Sequence, residues 1–169
     1  MRKSDFFYEL PESLIAQAPL EERGGARLLC LDEHGQPRDR LFTDLPGLLR
    51  PGDLLVLNDT RVMPARLYGR KATGGHVEIL IERVLEPNLA LAHVRASKSP
   101  KQGSLIIQEG GFACRVVERR EDFFVLQFTG GISVEKVLTA VGHIPLPPYI
   151  ARPDSAADRE RYQTVFARS

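Results

Sequence analysis

The chain has 169 residues, of which 43% are hydrophobic and 27% charged, as is usual for a globular protein large enough to bury a core. Lys and Arg number 23 against 22 Asp and Glu, so the net charge of +1 does not indicate a nucleic-acid-binding protein, and any basic surface must be local. No apolar run is as long as a membrane span, and no apolar signal core follows the N-terminus, so we expect no membrane association.

The cysteines and histidines show no spacing that is typical of a metal site. Cys30 and Cys114 each lie alone in an apolar run, so we expect buried thiols in a reducing compartment, the cytoplasm. His93 lies on an alternating strand pattern and is expected to pack rather than to catalyse. We therefore expect no metal site.

Three short elements are predicted in the first 50 residues. Leu10–Pro19 is expected to be a short helix, since Pro11 suits its first position and Pro19 would end it. A strand is predicted at Leu28–Asp32, followed by a turn, and a single helical turn at Asp44–Leu49.

The apolar run Leu54–Leu57 predicts a buried strand that ends abruptly at a polar cluster, Asn58-Asp59-Thr60-Arg61. Ligand sites often lie where buried strands give way to polar loops. Asn and Asp also stabilise ordinary turns through their side chains. Because turn chemistry does not explain Arg61 or the nearby Arg66, we favour a functional site here.

A second module is predicted from about Ala65 to Thr129, where short strands alternate with turns. In one of them Val77, Ile79 and Ile81 alternate with other residues, most of them polar, which is the period of a sheet with one buried face. The alternating residues are His76, Glu78, Leu80 and Glu82. This spacing indicates a small, closed or nearly closed β-barrel. The predicted strands are Ala65–Arg70, His76–Val84, Leu89–Ala96, Leu105–Gln108, Phe112–Arg119 and Phe123–Phe128.

A helix follows the barrel, with apolar residues at helical spacing, Ser133 at its start and Gly142 at its end; the apolar residues are Val134, Val137, Leu138 and Val141. The next segment, 143–150, has three prolines in four residues and must be extended. It is either a rigid connector or a stiff arm that holds Tyr149 and Arg152 beside a site.

The last segment, Asp154–Ser169, is predicted to be helical, with Ser155 and Asp158 as a capping box. Tyr162, Val165 and Phe166 would form an apolar stripe that needs a partner surface.

Several motifs in a fixed order make the chain resemble the S-adenosylmethionine:tRNA ribosyltransferase-isomerase family of queuosine biosynthesis. Small departures occur at Ala26, Met63 and Phe166, where the family usually has Ser, Ile and Tyr. The motifs are Phe7–Pro11, Leu14–Gln17, Pro51–Leu67, Thr73–Gly75, Pro145–Ile150 and Tyr162–Val165.

The resemblance implies a mixed α/β barrel-like domain with a small β-barrel domain inserted into it. Residues 1–64 would begin the α/β domain, 65–130 would be the insert, and 131–169 would return to the α/β domain. Family members continue for about as much chain again, so this chain resembles an N-terminal half and is expected to be inactive alone.

The resemblance also implies a reaction: the ribosyl group of S-adenosylmethionine moves to 7-aminomethyl-7-deazaguanine at the tRNA wobble position and isomerises, giving epoxyqueuosine. S-adenosylmethionine is then a consumed cosubstrate, and tRNA is the partner. By residue type, Asp59 and Arg61 are the candidate catalytic residues. The candidate substrate-binding residues are Asn58, Thr60, Arg66, Tyr149, Arg152 and Gln163.

A different class of function stays open, namely a non-catalytic tRNA-binding module. Basic residues in the loops of a small barrel commonly contact nucleic-acid phosphates, although a solvated surface is the ordinary role of any single one. The residues in question are Lys98, Lys101, Arg115, Arg119 and Arg120.

Overall fold

The backbone of the computed structural model, which describes residues 1–168, divides into two compact units. The first combines Met1–Asp59 with Pro148–Arg152, and the second combines Thr60–Pro147 with the segment that begins at Pro153.

The first unit contains one hairpin and little other regular structure. Strands β1 (Arg27–Leu31) and β2 (Pro37–Leu41) pair antiparallel, and Asp32 accepts backbone hydrogen bonds that close the turn between them. A 3₁₀ turn, Phe42–Asp44, continues into the single helical turn α1 (Leu45–Leu48). The expected strand near residue 28 and the helical turn near residue 45 are confirmed, whereas the second strand was not predicted.

Two expectations for the first unit are wrong. The predicted helix at 10–19 is only a 3₁₀ turn, Glu12–Leu14, next to another at Lys3–Phe6. The predicted buried strand Leu54–Leu57 is an irregular segment in which Leu54 is 89% and Val56 82% exposed. A strand needs a hydrogen-bonded neighbour, and no strand of the described residues pairs with this segment.

The second unit is built on a closed antiparallel barrel, as the alternating pattern predicted. Its strand order is β3-β4-β5-β8-β7-β6, so every strand has two neighbours and none is left as an edge. The strands are β3 (Arg66–Lys71), β4 (His76–Glu86), β5 (Leu89–Ala96), β6 (Leu105–Gln108), β7 (Ala113–Arg120) and β8 (Phe123–Phe128).

Alternate residues of these strands fill the barrel interior, because successive side chains of a strand point to opposite faces. Strand β4 buries its three predicted residues, Val77, Ile79 and Ile81. Gly69 of β3 has no room for a side chain, since a Cβ there would lie 2.5 Å from the carbonyl oxygen of Ile107. Further core residues are Leu67, Ala90, Ala92, Ile106, Cys114, Val116, Phe124, Leu126 and Phe128.

Helix α2 (Val134–Val141) packs its apolar face into the same core as the strands. Ser133 accepts a hydrogen bond from the backbone of Lys136 at the start of the helix, as predicted. Gly142 ends the helix, and its N–H bonds the carbonyl of Leu138. The next residue, His143, pairs with Arg66 through two backbone hydrogen bonds of 2.8 and 3.1 Å.

Helix α3 (Ala156–Arg161) begins with the predicted capping box, in which Ser155 and Asp158 bond each other. The helix ends at Tyr162, so the apolar stripe predicted beyond it does not form on a helix. Val165 is 65% exposed and lies in irregular chain. Ser169, the last residue of the predicted helix, lies outside the described residues.

The fold class is thus confirmed for the β-barrel, and the remaining described residues form a two-stranded sheet with short helices. An α/β barrel is not formed by the described part of the chain. The division at 64/65 and 130/131 stays a prediction.

Candidate functional site

The four residues of the predicted polar cluster belong to two different units. Asn58 and Asp59 end the first unit, and Thr60 and Arg61 begin the second. All four are exposed, so their polar groups are accessible to solvent and substrates. Their catalytic and binding roles remain predictions.

Arg61 lines a cavity of about 550 Å³ in the second unit. Two parts of the chain line this cavity. The segment 61–64 contributes Arg61, Val62, Met63 and Pro64, and helix α2 contributes Glu135, Leu138 and Thr139. An arginine and a glutamate on the lining of one mostly apolar cavity can bind a ligand that carries both charges. The sequence did not indicate Glu135, because its position on a helix surface has no distinctive signal.

Gln163 holds the chain immediately after Arg61. Its side-chain oxygen accepts the N–H of Val62 at 2.8 Å, and its nitrogen donates to the carbonyl of Val62, also at 2.8 Å. The amide therefore acts as a neighbouring strand would, by satisfying both backbone groups of one residue. This contact favours a positioning role for Gln163 over the predicted substrate-binding role.

We expect Gln163→Ala to lower the free energy of unfolding by about 1–3 kcal/mol, because two hydrogen bonds to Val62 are lost. The amide hydrogen of Val62 should then exchange faster in hydrogen-exchange measurements. Gln102→Ala, at an exposed turn, is the matched control. Unchanged exchange at Val62 would argue against the positioning role.

Arg66, a predicted ligand for a carboxylate or phosphate, already has an anionic neighbour. Its Nε lies 3.1 Å from a carboxylate oxygen of Glu78 on the adjacent strand, and both side chains are half-buried. The pair does not meet hydrogen-bond geometry at Nε, so it is a charge contact rather than an aligned bond. An incoming anion would compete with Glu78 for this guanidinium.

Tyr149 and Arg152 are brought together in the first unit by Gln17. The side chain of Gln17 donates to the carbonyl of Tyr149 at 3.0 Å and accepts the N–H of Ala151 at 2.7 Å. Arg152 in turn donates from Nε to the Gln17 carbonyl at 2.8 Å. The Tyr149 side chain is 59% exposed. The Pro-rich segment is thus anchored through Gln17, which the sequence placed only within a family motif.

A histidine at the end of α2 lies between two carboxylates that the sequence did not connect. His143 Nδ1 is 2.7 Å from Asp154, and its Nε2 is 3.1 Å from Glu109. Asp154 also accepts the backbone N–H of Ile144 at 3.0 Å. Burial lowers the pKa of His143, but the hydrogen bonds and charges of Glu109 and Asp154 outweigh it and raise the pKa above 6.5.

A raised pKa in the folded state means that protonated His143 stabilises the protein. This contribution is complete below pH 6.5 and is lost as the pH rises through the higher folded-state value. The melting temperature difference between the unmodified chain and His143→Asn should therefore shrink as the pH rises above 6.5 and through the raised folded-state pKa. His34→Asn, at an exposed site, is the control. A difference that stays constant with pH would contradict the ion-pair role.

Neither cysteine resembles a nucleophile. Burial raises the pKa of the Cys114 thiol to about 12, so it is a neutral core group at physiological pH. Cys30 was expected to be buried but is half-buried. His93 is exposed, and its ring packs against that of Phe123 with ring centres 4.4 Å apart.

Among residues 1–168, no group of three or more potential ligands is arranged to hold a metal ion. The same residues include no helix with the length and apolarity that crossing a membrane requires.

Comparison with known proteins agrees with the motifs. A family model described as a queuosine biosynthesis protein matches residues 3–169, and the chain belongs to this family. A crystal structure of an S-adenosylmethionine tRNA ribosyltransferase from Thermotoga maritima is 35% identical in sequence, with a TM-score of 0.42. The match covers 82% of this chain and 48% of that one, so the chain spans about half the length of that protein.

Proposed function

We propose that the chain carries part of the active site of a tRNA-modifying enzyme. The enzyme transfers the ribosyl group of S-adenosylmethionine to 7-aminomethyl-7-deazaguanine at the tRNA wobble position and isomerises it, which gives epoxyqueuosine. The match of the queuosine biosynthesis family to residues 3–169 is the observation that carries this proposal. Such an enzyme acts in the cytoplasm and uses S-adenosylmethionine as a consumed cosubstrate.

The chemistry requires removal of a proton next to a sulfonium, stabilisation of the negative charge that follows, and protonation of the departing adenine. Asp59 is the proposed base or ligand of the ribose hydroxyls. Arg61, on the lining of the 550 Å³ cavity, is the proposed partner of developing negative charge or of the methionine carboxylate. Their solvent exposure supports access for a large substrate.

The proposed substrate-binding residues differ in how much of their bonding capacity is already used. Tyr149 is bonded to Gln17 through its carbonyl and presents a largely exposed phenol, which supports a direct role. Arg66 faces Glu78, and Gln163 faces Val62, so both would bind substrate only by exchanging a partner. Asn58 and Thr60 lie in the exposed loop, and Arg152 is half-buried.

We also propose that the first unit belongs to a larger α/β domain. Several of its large apolar side chains are exposed, which is unusual unless a partner surface covers them. They include Phe7, Tyr8, Leu14, Leu29, Leu31, Leu54 and Val56.

The alternative proposal is a non-catalytic tRNA-binding module, which the basic residues on the barrel favour. Release of adenine from S-adenosylmethionine in the presence of tRNA bearing the modified base separates the two. The 169-residue chain is expected to release none alone, whereas a form that includes the rest of the α/β domain is expected to be active. Binding without adenine release in both forms would favour the module.

A further inference from the structure

One outer face of the barrel combines cations with an aromatic ring. The strand register sets Arg70 opposite His76 and Tyr68 opposite Glu78, while Arg95 is the partner of Glu78 on the next strand. Arg70, His76 and Arg95 are exposed, and Tyr68 is half-buried. We call these residues, together with Lys71, the β3–β5 face.

The β3–β5 face is concave. Two cavities of about 500 and 460 Å³ open on it. Both are lined by Tyr68, Gly69 and His76, so the two cavities adjoin, and we refer to them together as the groove. Arg70 and Lys71 line one end of the groove and Arg95 the other. A groove with cations along its length fits an extended polyanion better than a small anion.

The carboxylates of the groove already have cationic neighbours. Glu78 lies 3.1 Å from Arg66, and Glu109 lies 3.1 Å from Nε2 of His143, whose pKa is raised. Lys71 donates to the carbonyl of Lys98, a neutral acceptor that leaves its charge in place. Arg70 contacts only the carbonyl of Gly74, at 3.3 Å, in the described residues. The groove is therefore positively charged, although the chain as a whole is almost neutral.

We propose that the groove of the β3–β5 face binds the sugar–phosphate backbone of RNA, and specifically of the tRNA substrate. Arg70 and Arg95 would each contact a phosphate, and Tyr68 would stack on a sugar or base between them. Cations at both ends of the groove favour a polyanion over a protein partner. The choice of tRNA as the RNA rests on the proposed function.

The test measures binding of the 169-residue chain to a fluorescently labelled tRNA transcript at several salt concentrations. Arg70→Gln with Arg95→Gln removes two cations from the groove. Arg27→Gln with Arg40→Gln removes two exposed cations from the β1–β2 hairpin and is the matched control. Arg70→Lys with Arg95→Lys keeps the charge, and Tyr68→Phe keeps the ring that Tyr68→Ala removes. Thermal melts establish that each variant is folded.

We expect the groove variant to bind tRNA about tenfold more weakly, and its salt slope to fall by about 0.7–0.9 for each lost contact. The hairpin control should change binding less than about twofold, and the lysine variant should recover most of the affinity. Tyr68→Ala should bind tRNA more weakly than Tyr68→Phe. Equal effects of the groove and hairpin variants, or equal binding of the unmodified chain to a DNA duplex of the same charge, would overturn the proposal.

Adenine release separates this inference from the proposed function. Suppose that the groove variant binds tRNA more weakly, but that no adenine is released even by the form that includes the rest of the α/β domain. This result supports tRNA binding in the groove and counts against the proposed enzymatic function. Normal adenine release with an unchanged KM for tRNA in the groove variant overturns the groove and leaves the enzyme in place.

Discussion

Replacement of Asp59 or Arg61 by Ala should lower turnover by about 100- to 1000-fold, the loss typical of a missing electrostatic contact in a transition state. The same changes should alter the free energy of unfolding by no more than about 1 kcal/mol, because both residues are exposed. The measurements are epoxyqueuosine formation on modified tRNA by the catalytically active form of the protein, and thermal melts of each variant.

Two neighbouring residues provide the controls for this experiment. Asp39 and Arg40 carry the same pair of charges at exposed positions of β2, so Asp39→Ala and Arg40→Ala should leave turnover unchanged. If the Asp59 and Arg61 variants lose activity only in proportion to folding, or lose none, the residues serve the turn and not the reaction.

Gly142→Ala should destabilise the second unit by about 3 kcal/mol or more, near the upper end of what overpacking usually costs. A Cβ at this position would lie 2.2 Å from the carbonyl oxygen of Pro64 and 2.3 Å from that of Leu138. Neither oxygen belongs to a flexible side chain, so helix α2 or the 60–64 segment would have to move. Urea unfolding followed by circular dichroism measures the loss.

The requirement at Gly142 is one of space and not of backbone conformation, since its φ of −74° suits any residue. Gly47→Ala is the matched control, because a Cβ there meets nothing within 4 Å and alanine favours the helical turn α1. It should be neutral or slightly stabilising. A Gly142→Ala variant as stable as the control would show that α2 can shift without cost. A large loss of stability would also imply that Arg61 is displaced, because the segment that has to move lines the same cavity as Arg61.

The barrel was predictable from the sequence because its signals are local. Alternation such as that of Val77, Ile79 and Ile81 fixes the inward face of a strand, and the intervening turns fix the strand ends. The helix after the barrel was predictable for the same reason, with its apolar stripe and Ser133 cap within one short window. Closure of the ring follows from strand number and spacing rather than from any single residue.

The run Leu54–Leu57 shows where local reasoning fails. Its composition favours a buried strand, but burial depends on what lies opposite, and the described residues offer no pairing strand. Hydropathy specifies that a segment prefers burial and does not specify the surface that buries it.

The site contacts were not predictable because they join residues far apart in sequence. Gln163 bonds Val62 from 101 positions away, and Gln17 bonds Tyr149 from 132. Asp154 and Glu109 reach His143 across 11 and 34 positions, and neither spacing matches a known motif. The sequence indicated which side chains have the chemistry for catalysis or substrate binding. The fold determines which of these side chains already bond to other residues.

The backbone bridge between Arg66 and His143 has a consequence for protein engineering. It places the entry and exit of the intervening 66–143 stretch one hydrogen bond apart. A segment whose two ends are adjacent can be inserted into a surface loop of an unrelated protein without increasing the distance between the ends of that loop. The same geometry allows its deletion with a linker of a few residues.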